Sequence, residues 1–172
     1  MKKYLIVLKG ESNTGKTTVL KLLGEKLRKE YEFKSWKIGA CEKNKNEYLK
    51  KKVNNCLLDK LDKDVFLDGK INNKRVIIST GGDYVRCIDR FLEKFENNDK
   101  DDDVFIGITA CQCEDKSDSK CLKLLNEVKD NNVVFITTCS YNLENDNNLY
   151  EKLNWIKVDE LFKILEEITN EQ

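Results

Sequence analysis

Apolar positions along the chain follow two kinds of pattern, and the two alternate. Short apolar runs suited to buried strands occur at 4–8 (YLIVL), 33–38 (FKSWKI), 75–80 (RVIIST), 104–109 (VFIGIT) and 133–138 (VVFITT). The last two are β-branched and aromatic over short spans, as strands covered on both faces by apolar surface should be. Between them the spacing changes to three and four. Residues 16–30 carry Val19, Leu20, Leu22, Leu23 and Leu27, and residues 43–61 carry Leu49, Val53, Cys56, Leu57 and Leu61. Then come Val85, Ile88, Leu92 and Phe95, next Cys121, Leu122, Leu125 and Val128, and last Val158, Leu161, Phe162, Leu165 and Ile168. These spacings predict amphipathic helices. A further run at 65–71 (VFLDGKI) predicts a short added strand, folding back on 75–80 as a hairpin through Asn72, Asn73 and Lys74.

Strand alternating with helix predicts an α/β fold: a three-layer sandwich around a mainly parallel five-stranded sheet, with right-handed crossovers and the added hairpin strand. No repeat and no shift of composition divides the chain, so one domain over 1–172 is expected. Asn, Asp and Lys clusters punctuate it in the absence of proline, and the runs 97–103 (NNDKDDD) and 113–120 (CEDKSDSK) read as solvated loops.

Composition narrows the chemistry. Lys and Arg number 31 and so do Asp and Glu, so the net charge is +0 and offers no whole-chain attraction for nucleic acid or an anionic membrane. The first apolar run is too short for a signal peptide, and no run approaches the ~20 residues of a membrane span. A cytoplasmic protein is expected, its seven cysteines reduced. There is no histidine, which removes Ser-His-Asp and Cys-His schemes and leaves proton transfer to carboxylates, lysine, thiols or water.

The strongest chemical signal follows the first strand. Gly10-x-x-x-x-Gly15-Lys16-Thr17 matches the phosphate-binding loop pattern at every defined position, after a buried strand and at the start of an amphipathic helix. Glycines let successive N–H groups turn inward, and the helix N-terminus adds partial positive charge. Lys16, expected on a solvent-facing loop, would reach the β- and γ-phosphates. The Thr17 hydroxyl would ligate Mg²⁺, with Asn13, Thr14 and Thr18 completing the cradle.

Strand, loop and helix over residues 4–30 resemble the P-loop nucleoside triphosphatase and kinase superfamily. The rest of the chain resembles its small nucleotide-kinase-like members in size and element order. The resemblance implies five core strands in the order 2-3-1-4-5, with ATP and Mg²⁺ across their carboxyl ends. The roles of Gly10, Gly15, Lys16 and Thr17 carry over. The hairpin leading into "ISTGGD" is also similar to a little-characterised group of small P-loop proteins, which brings no known activity.

Phosphoryl transfer also needs an acid beside the γ-phosphate. Asp83, after Gly81-Gly82 on a strand expected beside the first, is the candidate for catalysis and for Mg²⁺; it is equally placed to cap the helix that follows. Glu42 is a weaker alternative, and Asp68 is expected to face the wrong edge. Arg86 and Arg90, spaced i, i+4, read as phosphate clamps or as partners of nearby acids. Cys41, Cys111 and Cys139, each after a predicted strand, raise a Cys-only metal site as a minor alternative. The function expected is Mg-ATP-dependent phosphoryl transfer, by hydrolysis or to a small acceptor. The alternative is a nucleotide-controlled binding module reading out to a protein partner. A GTPase is disfavoured because Asn-Lys-x-Asp is missing after the fifth strand.

Overall fold

The computed structural model describes residues 2–11, 14–38, 49–52, 57–61, 64–82, 85–96, 104–112, 128, 133–140 and 147–170. Strands β1 (Lys2–Gly10), β2 (Phe33–Ile38), β3 (Leu49–Lys52), β4 (Val65–Ile71), β5 (Lys74–Ser79), β6 (Val104–Gln112) and β7 (Val133–Cys139) form one sheet. The described helices are α1 (Lys16–Glu30), α2 (Val85–Glu96) and α3 (Asn147–Asn170). The fold is α/β, as the alternation of apolar patterns predicts.

β1 owes its position to complete burial, since Leu5, Ile6, Val7 and Leu8 have no exposed surface. Its Tyr4, Ile6 and Leu8 face the layer made by α1 and α3, while Leu5 and Val7 face α2 with Phe91, Phe95 and Phe105. A strand buried this way must pair both edges, because unpaired backbone N–H and C=O groups would be stranded away from water. It pairs in parallel with β6 from Lys2↔Val104 to Gly10↔Gln112, and with β7 from Lys3↔Val133 to Lys9↔Cys139.

The strand order is β3-β2-β4-β5-β6-β1-β7, which corrects the expected 2-3-1-4-5. The first strand lies between the fourth and fifth expected strands, and the 75–80 strand is one place removed from it. β6 pairs with all nine residues of β1, from Lys2 to Gly10. The sheet is also mixed, with seven strands. β5, β6, β1 and β7 run parallel, while β2 pairs antiparallel with both β3 and β4. The predicted hairpin is present between β4 and β5, turning on Asn72 (φ 49°) and Asn73 (φ 64°). Two left-handed residues are what a two-residue turn needs to match strand twist. Its first strand lies inside the sheet, between β2 and β5.

A helix over 43–61 is the second correction, since Leu49–Lys52 forms edge strand β3 on β2. The open edge of β2 supplied hydrogen-bond partners that local spacing cannot reveal. Beyond it, segment 57–61 is clamped by two buried polar side chains of α1. Glu25 accepts from Leu58 N, and Lys21 Nζ donates to Leu61 O (2.7 Å). The helix predicted around 121–128 lies outside the described residues except Val128. The closing helix extends further toward the N-terminus than its apolar stripe, beginning at Asn147. No helix among the described residues is long and apolar enough to cross a membrane.

Phe95 is the centre of the α2 layer: it stacks on Phe105 (centroids 5.2 Å) and Phe91 (6.2 Å) and is fully buried. Replacing Phe95 with Ala is expected to destabilise the protein by about 3–5 kcal/mol through lost transfer energy and a residual cavity, read from the midpoint of urea denaturation.

Candidate active site

The carboxyl ends of β1, β6 and β7 lie side by side, and the loop between β1 and α1 rises from the middle one. In open α/β sheets this edge is where ligands bind. Gly15 caps α1 in the left-handed conformation (φ 78°, ψ 6°), which costs an L side chain roughly 1–2 kcal/mol and glycine almost nothing. Gly15 O accepts from Val19 N (2.8 Å), closing the first turn. Among the described residues no side chain caps this terminus, and the first turn holds no acid.

Inside the loop the side chains converge on one main-chain carbonyl. Glu11 O accepts from Lys16 Nζ (2.5 Å) and from Thr14 Oγ1 (2.9 Å). Lys16 is only 5% exposed, which corrects its expected place on a solvent-facing loop. Its ammonium reaches back to the start of the loop, at Glu11 O. Thr17 and Thr18, in the first turn of α1, are half-buried. Asn13 lies outside the described residues.

The loop is anchored from the β7 side. Ser140 continues that strand's ladder by donating N–H to Lys9 O (2.7 Å), and its Oγ lies 2.6 Å from Thr14 Oγ1. A Cβ on Gly10 would fall 1.9 Å from Ser140 Oγ and 2.5 Å from Thr14 Oγ1, so Gly10 is required by close approach. A Cβ on Gly15 would fall 2.4 Å from Tyr150 Oη and 2.8 Å from Asn154 Oδ1 of α3.

The strand that leads to the expected acid is placed differently from the sequence reading. Asp83 and Glu42 lie outside the described residues, and β5, the strand before Asp83, adjoins β6 rather than β1. Where the chain leaves β5, Gly82 packs closely on β6. Gly82 N donates to Thr80 O (3.0 Å), and a Cβ on Gly82 would fall 1.8 Å from Ala110 O, so the chain lies flat against β6. At the end of β6, Gln112 stands opposite Gly10. Strands β6 and β7 end in Gln112 and Cys139 rather than in Thr109 and Thr138 as expected.

Asp68 is paired through both oxygens with Arg75 (3.0 and 2.8 Å), toward the amino-terminal half of β5. A carboxylate missed in the sequence, Asp64, is at the loop-side edge, where it accepts from Thr80 Oγ1 (2.9 Å). That hydroxyl in turn accepts from Val65 N (2.9 Å). Asp64 precedes its strand, and in an antiparallel strand the leading residue reaches the edge that trailing residues reach in parallel ones. Arg90 pairs with Glu93 at the surface (2.8 Å); the side chain of Arg86 is not among those described. Cys111 and Cys139 flank Lys9 on either side, and no group of three metal-binding side chains occurs among the described residues. Cys41 lies outside them.

Ser140, Tyr150, Asn154 and Gln112 also escape motif reading, because each reaches the loop through tertiary structure. The one signal in the sequence is that Tyr150 and Asn154 continue the buried stripe of the last helix with polar residues. Compared with protein-family models, curated proteins and solved structures, the chain matches none.

Gly10→Ala is expected to force Ser140 and Thr14 apart and destabilise the fold by about 1–3 kcal/mol, more than the ~1 kcal/mol of losing the hydroxyl in Ser140→Ala. Chemical denaturation of the two variants checks the order.

Proposed function

We propose that the chain binds ATP with Mg²⁺ at the 10–18 loop and transfers the γ-phosphoryl group, to water or to a small acceptor. The observation carrying this reading is the conjunction at Gly15 and Lys16. A left-handed glycine opens a helix whose N-terminus lacks a described side-chain cap, and a cation is folded back into the same loop. Backbone N–H groups, helix dipole and ammonium together favour a multiply charged phosphate ligand. On binding, Lys16 Nζ would exchange the neutral carbonyl of Glu11 for anionic phosphate oxygens, which make stronger hydrogen bonds.

The donor set fits Mg²⁺, which takes few protein ligands and completes its shell with phosphate oxygens and water. Thr17 would supply the hydroxyl ligand. The metal's contribution is to neutralise charge developing on the β- and γ-oxygens. Asp83 is proposed as the acid that orients magnesium or the attacking group, supported by the approach of its neighbour Gly82 to Ala110. Gln112, opposite Gly10, is a second candidate for orienting water, since its amide both donates and accepts.

One observation favours the second reading, a nucleotide-controlled binding module with little turnover. The two strands flanking β1 end in Gln112 and Cys139, neither of them a carboxylate.

Because Lys16 is buried, Lys16→Met is the informative variant: it keeps the stem and removes the charge. Calorimetric titration is expected to show ATP-Mg²⁺ binding in the wild type and at least tenfold weaker binding in Lys16→Met; equal affinities would sink the loop assignment. Thr17→Ala is expected to weaken binding more with magnesium than with EDTA. Asp83→Asn keeps the shape and a capping acceptor, so turnover should fall about 10²-fold (about 2.7 kcal/mol of barrier) while ATP affinity moves much less. The same assay on Gln112→Ala identifies which group orients the attack. Tight ATP binding without turnover against any acceptor selects the binding-module reading.

A further inference from the structure

The inward face of α3 changes character along its length. Ile168, Leu165, Leu161 and Val158 are buried in the core beside α1. Continuing toward the N-terminus at steps of four, the same stripe reads Asn154 and Tyr150, with Lys157 beside them. Asn154 is 7% exposed and Lys157 5%. Burying polar side chains costs free energy unless they find partners, so this face requires polar structure opposite it. Lys157 finds Thr138 Oγ1 (2.9 Å) near the end of β7 and, one turn along α3, Glu160 Oε2 (2.5 Å). Tyr150 and Asn154 are packed on Gly15 of the phosphate loop, where any side chain would collide with them.

We infer that the first two turns of α3 are part of the nucleotide site, with Tyr150 and Asn154 as positioning residues that hold Gly15 left-handed. The inference rests on the nucleotide reading above. A free glycine visits positive and negative φ about equally. With the phenol and the amide against it, Gly15 is confined to the conformation that starts α1 and turns the loop inward. Apparent affinity scales with the fraction of molecules in the competent conformation, so loosening this contact weakens binding without touching the ligand. Coupling is reciprocal: ATP that binds the ordered loop must in turn steady α3.

Two measurements test this. Calorimetric titration with ATP-Mg²⁺ compares wild type, Tyr150→Phe and Asn154→Leu, each also melted without nucleotide. The expected result is about tenfold weaker binding in both variants, with nucleotide-free melting close to wild type. A purely structural role would lower melting and leave the affinity of the folded protein unchanged, which overturns the inference. Hydrogen exchange on the wild type, with and without ATP-Mg²⁺, is expected to show slower exchange in residues 147–157 when nucleotide is present. Unchanged exchange there, in protein shown by titration to bind, overturns the inference even if a variant fails to fold. Wild type that takes up no ATP overturns the nucleotide reading as well, so the two failures are distinguishable.

Discussion

The requirement that β1 be paired on both edges and covered on both faces governs the rest of the architecture. Its side chains from Leu5 to Leu8 are wholly buried, so every backbone group along it needs a partner in β6 or β7. Meeting that need over nine residues brings Gln112 opposite Gly10 and Cys139 opposite Lys9. The loop that leaves β1 is thereby set between two strand ends, with its backbone direction defined before any side chain of the site is considered.

The loop itself is held by contacts that are individually small. A hydroxyl pair ties Thr14 to Ser140, one carbonyl gathers Thr14 and Lys16, and two polar side chains of α3 back Gly15. Each is worth on the order of 1 kcal/mol. Together they tie the described residues of the loop to β7 and α3. The convergence of cation, helix terminus and glycine turn at one place therefore draws on several elements that are distant in sequence.

The antiparallel half of the sheet acts on the site indirectly. β4 lies antiparallel to β5, and Thr80 is fastened to Asp64 and Val65 where the two meet. Just beyond that anchor, Gly82 lies close against Ala110 of β6. The Asp68–Arg75 pair braces the other end of the same hairpin. The clamp of Lys21 and Glu25 on segment 57–61 ties the antiparallel half to α1, the helix that opens at the loop.

The sequence by itself determined the elements whose signals are local. Apolar runs marked β1, β2, β5, β6 and β7, the Asn72-Asn73 turn marked the β4–β5 hairpin, and Gly10-x-x-x-x-Gly15-Lys16-Thr17 marked the loop. In each case the deciding interaction lies within a few residues: side-chain alternation, a left-handed turn, a helix start. Tertiary structure alone decided the strand order, because apolar pattern encodes which faces are buried and carries no information about which strand lies alongside. It also decided that Leu49–Lys52 would be a strand, since the open edge of β2 outweighed a helical spacing. The burial of Lys16 and the arrival of Ser140, Tyr150, Asn154 and Gln112 at the loop were decided in the same way. Those residues sit about a hundred positions or more from Gly10, and only the pairing of β1 with β6 and β7, and the packing of α3 on α1, brings them within reach.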